Sequence, residues 1–373
     1  MNETPAFLRA VSDPHHGALD QSLFMKMLRL ERRRAERSRK PFLLMLVECD
    51  HLFETEEKAL QGVIAALSFS TRETDIRGWY EEHSILGVIF TEIGEADKNS
   101  ILQMMRGKML AALQNRLNTQ HLAQISLSFH FYPEHWNGDG QGLSADTKLY
   151  PDLSQRDASR KLTGSLKRAM DLIGSIVALT VFSPLFLLIA LLVKLSSKGP
   201  VLFRQQRVGQ YGVPFTFLKF RTMNVENDPS IHKEYVKRFI AGKVNAEPGN
   251  GNANGPYKLT DDPRVTRICK FLRKTSLDEL PQFLNVLKGE MSLVGPRPPI
   301  PYELESYDIW HRRRILEAKP GITGLWQVNG RSKTNFDDMV RLDLQYAQTW
   351  SLWLDIKILL QTPRAVFSGE GAW

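Results

Sequence analysis

The stretch LIGSIVALTVFSPLFLLIALLV, Leu172 to Val193, runs for 22 residues without a formal charge. That length passes the threshold for a membrane segment. It begins in mid-chain, so it is not a cleaved signal peptide. The alternative is a fully buried core helix of a soluble protein, but such helices seldom run past ~20 residues without a charged face. Membrane insertion is the expectation.

The flanks and the middle of the run say how it inserts. Lys167 and Arg168 precede it and Lys194 and Lys198 follow it, so the positive-inside rule places both ends on the cytoplasmic side. Ser183-Pro184 lies at its middle, where proline removes a backbone donor and clashes with the carbonyl four residues earlier. Each half then rises only about 18 Å, too short for a hydrocarbon core of roughly 30 Å. A helix-break-helix that dips in and returns satisfies both observations, with the Ser183 hydroxyl or a neighbouring segment as donor to the freed carbonyl. A proline-kinked spanning helix is the alternative.

Outward from this run, 373 residues suffice for two domains. With 42% hydrophobic and 24% charged residues, 25 Gly and 19 Pro, the chain is neither collagen-like nor wholly disordered. Its two cysteines, Cys49 and Cys269, form no CxxC, which excludes a disulfide scaffold and a zinc ribbon. The net charge of +8 suits an anionic partner: nucleic acid, phosphorylated substrate or lipid headgroups.

Ahead of the run the pattern is α/β. A helix over 18–39, a strand from Phe42 to Val47 ending in Glu48-Cys49-Asp50 and a helix near 57–68 come first. Strands near 75–80 and 85–90, a helix near 97–117 and an alternating strand from Ile125 to Phe131 complete it. Residues 136–165 turn polar and Gly/Asp/Ser-rich, as a linker would. Arg34-Ala-Glu-Arg, Glu48-x-Asp50 and Arg77-Gly-Trp-Tyr-Glu-Glu-His83 make residues 1–135 resemble a degenerate GGDEF (diguanylate cyclase-like) domain. An active cyclase needs two small glycines in that hairpin, where Trp79 and Tyr80 stand. The domain is therefore expected to be catalytically dead and to act in regulation or architecture: sensing a cyclic dinucleotide, contacting a partner protein or forming a homodimer. Glu48 and Asp50 are weaker candidates for a metal than for a solvated strand end.

Behind the run, Gly199-Pro-Val-Leu-Phe-Arg-Gln-Gln-Arg207 and Phe217-Leu-Lys219-Phe-Arg221-Thr-Met223 set cations beside short apolar stretches, and arginine forks suit phosphate. An Asn- and Gly-rich segment, 241–257, reads as a loop. The centre is Arg273-Lys-Thr-Ser276-Leu-Asp278-Glu279-Leu-Pro281-Gln282, followed by Gly295-Pro-Arg297-Pro298. Ser276-x-x-Glu279 matches a capping box. Pro281 would then be the fifth helical residue, where an amide hydrogen bond is required, so a helix starting near Leu280 with Pro281 in its first position is the better reading. Asp278 and Glu279 come to lie at a helix N-terminus, which favours phosphate. Adjacent acids recruit Mg²⁺, and a carboxylate attacks phosphorus to give an acyl phosphate, so phosphoryl transfer is the implied chemistry.

With Lys167-Arg-x-x-Asp171, Ser183-Pro184, Lys219-Phe-Arg-Thr-Met223, Arg273-x-x-Ser-Leu-Asp-Glu-Leu-Pro-Gln282, Gly295-Pro-Arg-Pro298, Pro320-Gly-Ile-Thr-Gly-Leu-Trp-Gln327 and Leu342-Asp343, residues 166–373 resemble the bacterial sugar transferases. These are monotopic polyprenyl-phosphate hexose-1-phosphate transferases of exopolysaccharide and glycoconjugate synthesis. The resemblance implies a mostly α, membrane-associated catalytic domain with a re-entrant helix at about 168–195. It would lie on the cytoplasmic face of the bacterial inner membrane, in contact with its lipid. Asp278 would attack a UDP-sugar, releasing UMP and leaving a phosphosugar on the enzyme that undecaprenyl phosphate then accepts. Glu279 would hold Mg²⁺, Arg273 and Arg297, with Lys219 and Arg221, would grip phosphates, and Arg331 would contact the nucleotide. Tyr307-Asp-Ile-Trp-His-Arg-Arg-Arg314 then reads as an interfacial helix on anionic headgroups rather than a nucleic-acid surface, extended by Trp350, Trp353 and Trp373. The rival functions are a catalytically silent membrane scaffold of a polysaccharide assembly complex and a nucleotide-sensing protein anchored by its rear domain. Intact Asp278-Glu279 speaks against the first, and the sequence leaves the sugar and the polymer unspecified.

Overall fold

The computed structural model describes residues 18–49, 56–94, 97–134, 145–153, 161–196, 199–222, 230–242, 267–329 and 334–367. The chain divides into two units: residues 1–134 with 146–155, and residues 135–145 with 156–373.

The first unit is built on a four-stranded antiparallel sheet in the order β2-β3-β1-β4. Its elements are α1 (Gln21–Ser38), β1 (Phe42–Cys49), α2 (Glu57–Ser70), β2 (Ile76–Glu81), β3 (Ile85–Phe90), α3 (Lys98–Gln114), α4 (Thr119–Ala123) and β4 (Ile125–Tyr132). β1 is apolar on both faces because it is central and covered on both, as such a run should be. On one face Leu43, Met45 and Val47 meet Val63, Leu67 and Leu113 of α2 and α3. On the other, the cross-strand pair Gly78 and Gly87 makes room for the Phe24 ring of α1, which a Cβ at Gly87 would meet at 2.4 Å.

The region read as a linker is only partly one. Asp146 to Leu153 lies on the first unit: Leu149 is fully buried, Arg32 pairs with Asp152, and His130 bridges Ser128 (3.0 Å) and Asp146 (2.5 Å). A polar composition therefore concealed a docked strap held by charges. Lys148 pairs with Glu48 at 3.1 Å, so the acidic end of β1 is a salt bridge, while Asp50 lies outside the described residues. Trp79 and Tyr80 sit in β2, Trp79 in the core and Tyr80 donating its hydroxyl to the Lys148 carbonyl.

The second unit opens with α5 (Lys161–Val181) and α6 (Ser183–Ser196), bent by 63° at the Ser183-Pro184 step. Among the described residues no single helix is long and apolar enough to cross a membrane. The proline deprives the Thr180 carbonyl of its amide partner, and the Ser183 hydroxyl donates to that oxygen at 2.8 Å. Ile173, Ile176, Val177, Val181, Leu187, Leu188 and Leu191 are exposed. Behind them come a hairpin, β5 (Leu202–Val208) and β6 (Pro214–Phe220), then α7 (Ser230–Ile240), α8 (Arg267–Lys274) and α9 (Gln282–Lys288). Two short parallel strands follow, β7 (Ser292–Val294) and β8 (Gly321–Thr323), with α10 (Arg313–Glu317) between them. The unit closes with α11 (Leu325–Asn329), α12 (Phe336–Thr349) and α13 (Leu352–Phe367).

Lys167 and Arg168 are not free topogenic charges, as the positive-inside argument took them to be, and Asp171 beside them is partnered as well. Lys167 Nζ donates to Asp355 at 2.7 Å and Arg168 to the Val286 and Leu287 carbonyls at 2.6 and 2.8 Å. Asp171 accepts from the Ser292 hydroxyl and the Leu293 amide, each at 2.9 Å. These three charges bolt the start of α5 to α9, β7 and α13. At the other end of the pair, Ile189 and Val193 of α6 are buried with Phe220 and Leu272. Both ends of the apolar pair are thus fixed to one unit.

Candidate active site

Ser276 takes a left-handed backbone conformation (φ 55°) and its side chain caps nothing, so the capping-box match is not used. Instead Leu277–Glu279 form one 3₁₀ turn, Pro281 is the N-cap of α9, and α9 starts at Gln282. This agrees with Pro281 opening a helix, whose missing amide costs nothing there. Leu277 and Leu280 pack against the cluster of Ile189, Val193, Phe220 and Leu272, so the carboxylate turn shares an apolar cluster with α6. Asp278 is 4% exposed, and Glu279, half-buried, lies 3.5 Å from Arg297 Nη1.

The remaining predicted residues surround this turn to different degrees. Arg273 lies in the last turn of α8, just ahead of it. β6, which carries Lys219, packs alongside the turn, and Lys219 Nζ stands 5.2 Å from the centre of the Phe203 ring. Arg221, immediately past β6, is buried, with its amide donating to the Val201 carbonyl at 2.9 Å. Arg331, Met223 and most of the 241–257 loop lie outside the described residues.

Several residues that sequence reasoning passed over hold these groups in place. Asn285, fully buried in α9, accepts from the Leu218 amide (3.1 Å) and donates to the Thr216 carbonyl (2.7 Å), supplying the edge of β6 with the partners a further strand would give. The one available signal was an asparagine in mid-helix, where its side chain competes with the backbone. Gly295 and Gly321 let β7 and β8 close tightly, since a Cβ on Gly295 would stand 2.2 Å from the Lys319 carbonyl. Arg314, also buried, pairs with Asp343 at 2.6 Å. Burial pushes the Asp343 carboxyl up to about 6, against the downward pull of Arg314.

The interfacial reading of residues 307–314 is corrected. Tyr307, His311 and Arg314 are buried, and Arg313 pairs with Glu317. His311 packs against Phe336 and Trp310, and burial holds its imidazole below the ordinary histidine range. Arg314 serves the interior, paired with Asp343. Trp350 donates to Asp355 at 3.1 Å and is likewise internal, Trp353 is exposed, and Trp373 lies outside the described residues.

The carboxylate pair fits Mg²⁺. That ion binds through one or two carboxylates plus substrate phosphates rather than an all-protein cage. Glu279, half-buried beside Asp278, offers one carboxylate of that kind. Glu279 is the candidate ligand, and its 3.5 Å contact with Arg297 is long enough to yield.

The site thus brings a buried carboxylate, Asp278, and the neighbouring Glu279–Arg297 pair into the unit that carries the exposed apolar helix pair. The bacterial sugar transferase family model matches residues 162–369, and the chain belongs to that family. It is 43% identical over 219 residues to the exopolysaccharide production protein ExoY of Rhizobium meliloti, covering 58% of this chain and 92% of that protein. It is 41% identical over 218 residues to a UDP-glucose:undecaprenyl-phosphate glucose-1-phosphate transferase of Caulobacter vibrioides, covering 56% of this chain and 72% of that protein. The chain spans under half the length of other curated relatives, 43% and 44% of two of them. The GGDEF domain of DgcB from Caulobacter crescentus aligns at 15% identity and a TM-score of 0.27, covering 35% of this chain and 78% of that one. A likeness of that size carries no argument about the first unit.

Proposed function

We propose that the chain is a phosphoglycosyl transferase that moves a hexose-1-phosphate from a UDP-sugar to undecaprenyl phosphate, an initiating step of exopolysaccharide or glycoconjugate synthesis. The observation that carries the reading is the place of Asp278: buried, adjacent in the chain to the Glu279 that contacts Arg297, on a turn that shares an apolar cluster with the helix pair. An Asp278 carboxylate oxygen bonds to the sugar-bearing phosphorus as that phosphorus separates from the bridging oxygen, which leaves on UMP. A phosphate oxygen of undecaprenyl phosphate then attacks the same phosphorus, freeing the carboxylate and giving the diphosphate-linked sugar. Arg297 and Arg273, with Lys219 and Arg221, hold phosphate oxygens through both steps. Mg²⁺ on Glu279, when bound, supplies charge neutralisation for the transferring group.

The helix pair dips into the cytoplasmic face of the bacterial inner membrane and returns. What supports this is that both of its ends are docked on one unit while its bend and outer face are apolar and exposed. The exposed Trp353, Ile356 and Leu360 of α13, flanked by exposed Lys357 and Arg364, suit the headgroup layer of the same leaflet. For the first unit an architectural role is favoured over nucleotide chemistry, because Lys148 occupies the acidic end of β1.

The test is UMP release by the full chain in vesicles containing undecaprenyl phosphate, with Mg²⁺ and a panel of UDP-sugars, against Asp278→Asn and Glu279→Gln. Donor-dependent UMP and added phosphosugar mass on Asp278 are expected. No UMP above the variants with any donor returns the chain to the silent-scaffold reading.

A further inference from the structure

The segment from Gly295 to Ile300 has neither helix nor strand, and Pro296, Pro298 and Pro299 leave it few amides with which to hold itself. It is held by its carbonyls instead. The Gly321 amide donates to Pro296 O at 2.9 Å and the Val208 amide to Pro299 O at 3.0 Å. Between them, Arg314 Nη2 donates to Arg297 O at 3.2 Å and Arg207 Nη1 to Pro298 O at 2.8 Å. Both guanidiniums are buried, Arg314 at 2% and Arg207 at 5% exposure. Asp343, 1% exposed, balances the Arg314 charge at 2.6 Å, and Tyr307 accepts from its other nitrogen at 3.2 Å. Buried ion pairs are poor stabilisers compared with apolar packing, so stability alone gives no reason for this one. A planar guanidinium can reach a carboxylate and a carbonyl together, which a lysine ammonium on a flexible stem does not reproduce.

We infer that Arg314, with Asp343 behind it, and Arg207 are positioning residues that clasp the backbone at Arg297 and Pro298 and so aim the Arg297 side chain at the carboxylate pair. The inference rests on the transfer reaction proposed above. Misplacing a phosphate-gripping group by a fraction of its reach costs rate steeply. The loss must act through Arg297, which separates this role from a merely structural one.

The experiment is a double-mutant cycle on the full chain in vesicles, reading kcat and KM for the UDP-sugar by UMP release. Arg314→Lys and Asp343→Asn should each lower kcat/KM by about 10- to 100-fold, with KM raised. In an Arg297→Lys background, Arg314→Lys should cost less than about 2-fold more, because the group it aims is already altered. Arg207→Lys should show the same non-additivity and decides the matter if Arg314→Lys does not fold. Losses that multiply, or full activity in Arg314→Lys and Arg207→Lys, overturn the inference while leaving the reaction standing. Absence of UMP from the unmodified chain would instead overturn the reaction.

Discussion

Asn285 shows how much of the site depends on groups that do no chemistry. Its amide satisfies one donor and one acceptor of β6, and α9, which it belongs to, begins just after the carboxylate turn. Asn285→Ala strands the Leu218 amide and the Thr216 carbonyl, and each buried unpaired group costs about 1–3 kcal/mol. The variant should lose about 2–6 kcal/mol, read as a lowered urea midpoint of the detergent-extracted protein, and an unchanged midpoint would remove Asn285 from this role. At this scale the candidate residues were legible as candidates, because Asp278, Glu279, Arg273 and Arg297 stand in a spacing whose chemistry is distinctive. Their supports were not, because Asn285, Arg207 and Arg314 acquire partners from segments distant in the chain. The arginines of 307–314 were read as a lipid-facing surface for the same reason: a charge looks exposed until its buried counter-charge is known.

At the scale of elements, the helix break was predicted from Pro184 and the structure adds its mechanism, since the carbonyl that proline abandons is taken by the adjacent serine. Replacing both residues, Ser183→Ala with Pro184→Ala, restores an amide at position 184 and removes the competing hydroxyl, so a continuous helix becomes accessible. Single cysteines placed before Lys167 and after Lys198 should react with an impermeant reagent from the same side in the parent chain. In the double variant the clamps that tie both ends to one unit oppose a span, so same-side labelling should persist. Opposite-side labelling in the parent would replace the dip by a span. The dense charges before the run, Lys167, Arg168 and Asp171, turn out to be clamps on α9, β7 and α13. They therefore favour the same-side topology for a reason that hydropathy and loop charge do not contain.

At the scale of the molecule, the first unit has its own core around β1, and the strap from Asp146 to Leu153 belongs to it. Burying Leu149 contributes about 1.5–3 kcal/mol, and the Arg32–Asp152 pair would be broken by truncation. A chain ending at residue 134 should therefore unfold at lower urea than one ending at 155, by at least about 2 kcal/mol, and equal midpoints would make the strap incidental. The sequence by itself determined the strands and helices of the first unit, the apolar run with its break and the adjacency of the two acids. Each of these rests on neighbours in the chain: periodicity, a proline's missing amide, two acids side by side. Only the tertiary structure decided that the strap is docked, that the basic motif is a clamp, and that a proline-rich loop is held by buried guanidiniums. Those outcomes depend on which donor meets which acceptor across separations of 17 to 188 residues, and nothing local in a sequence specifies such a partner.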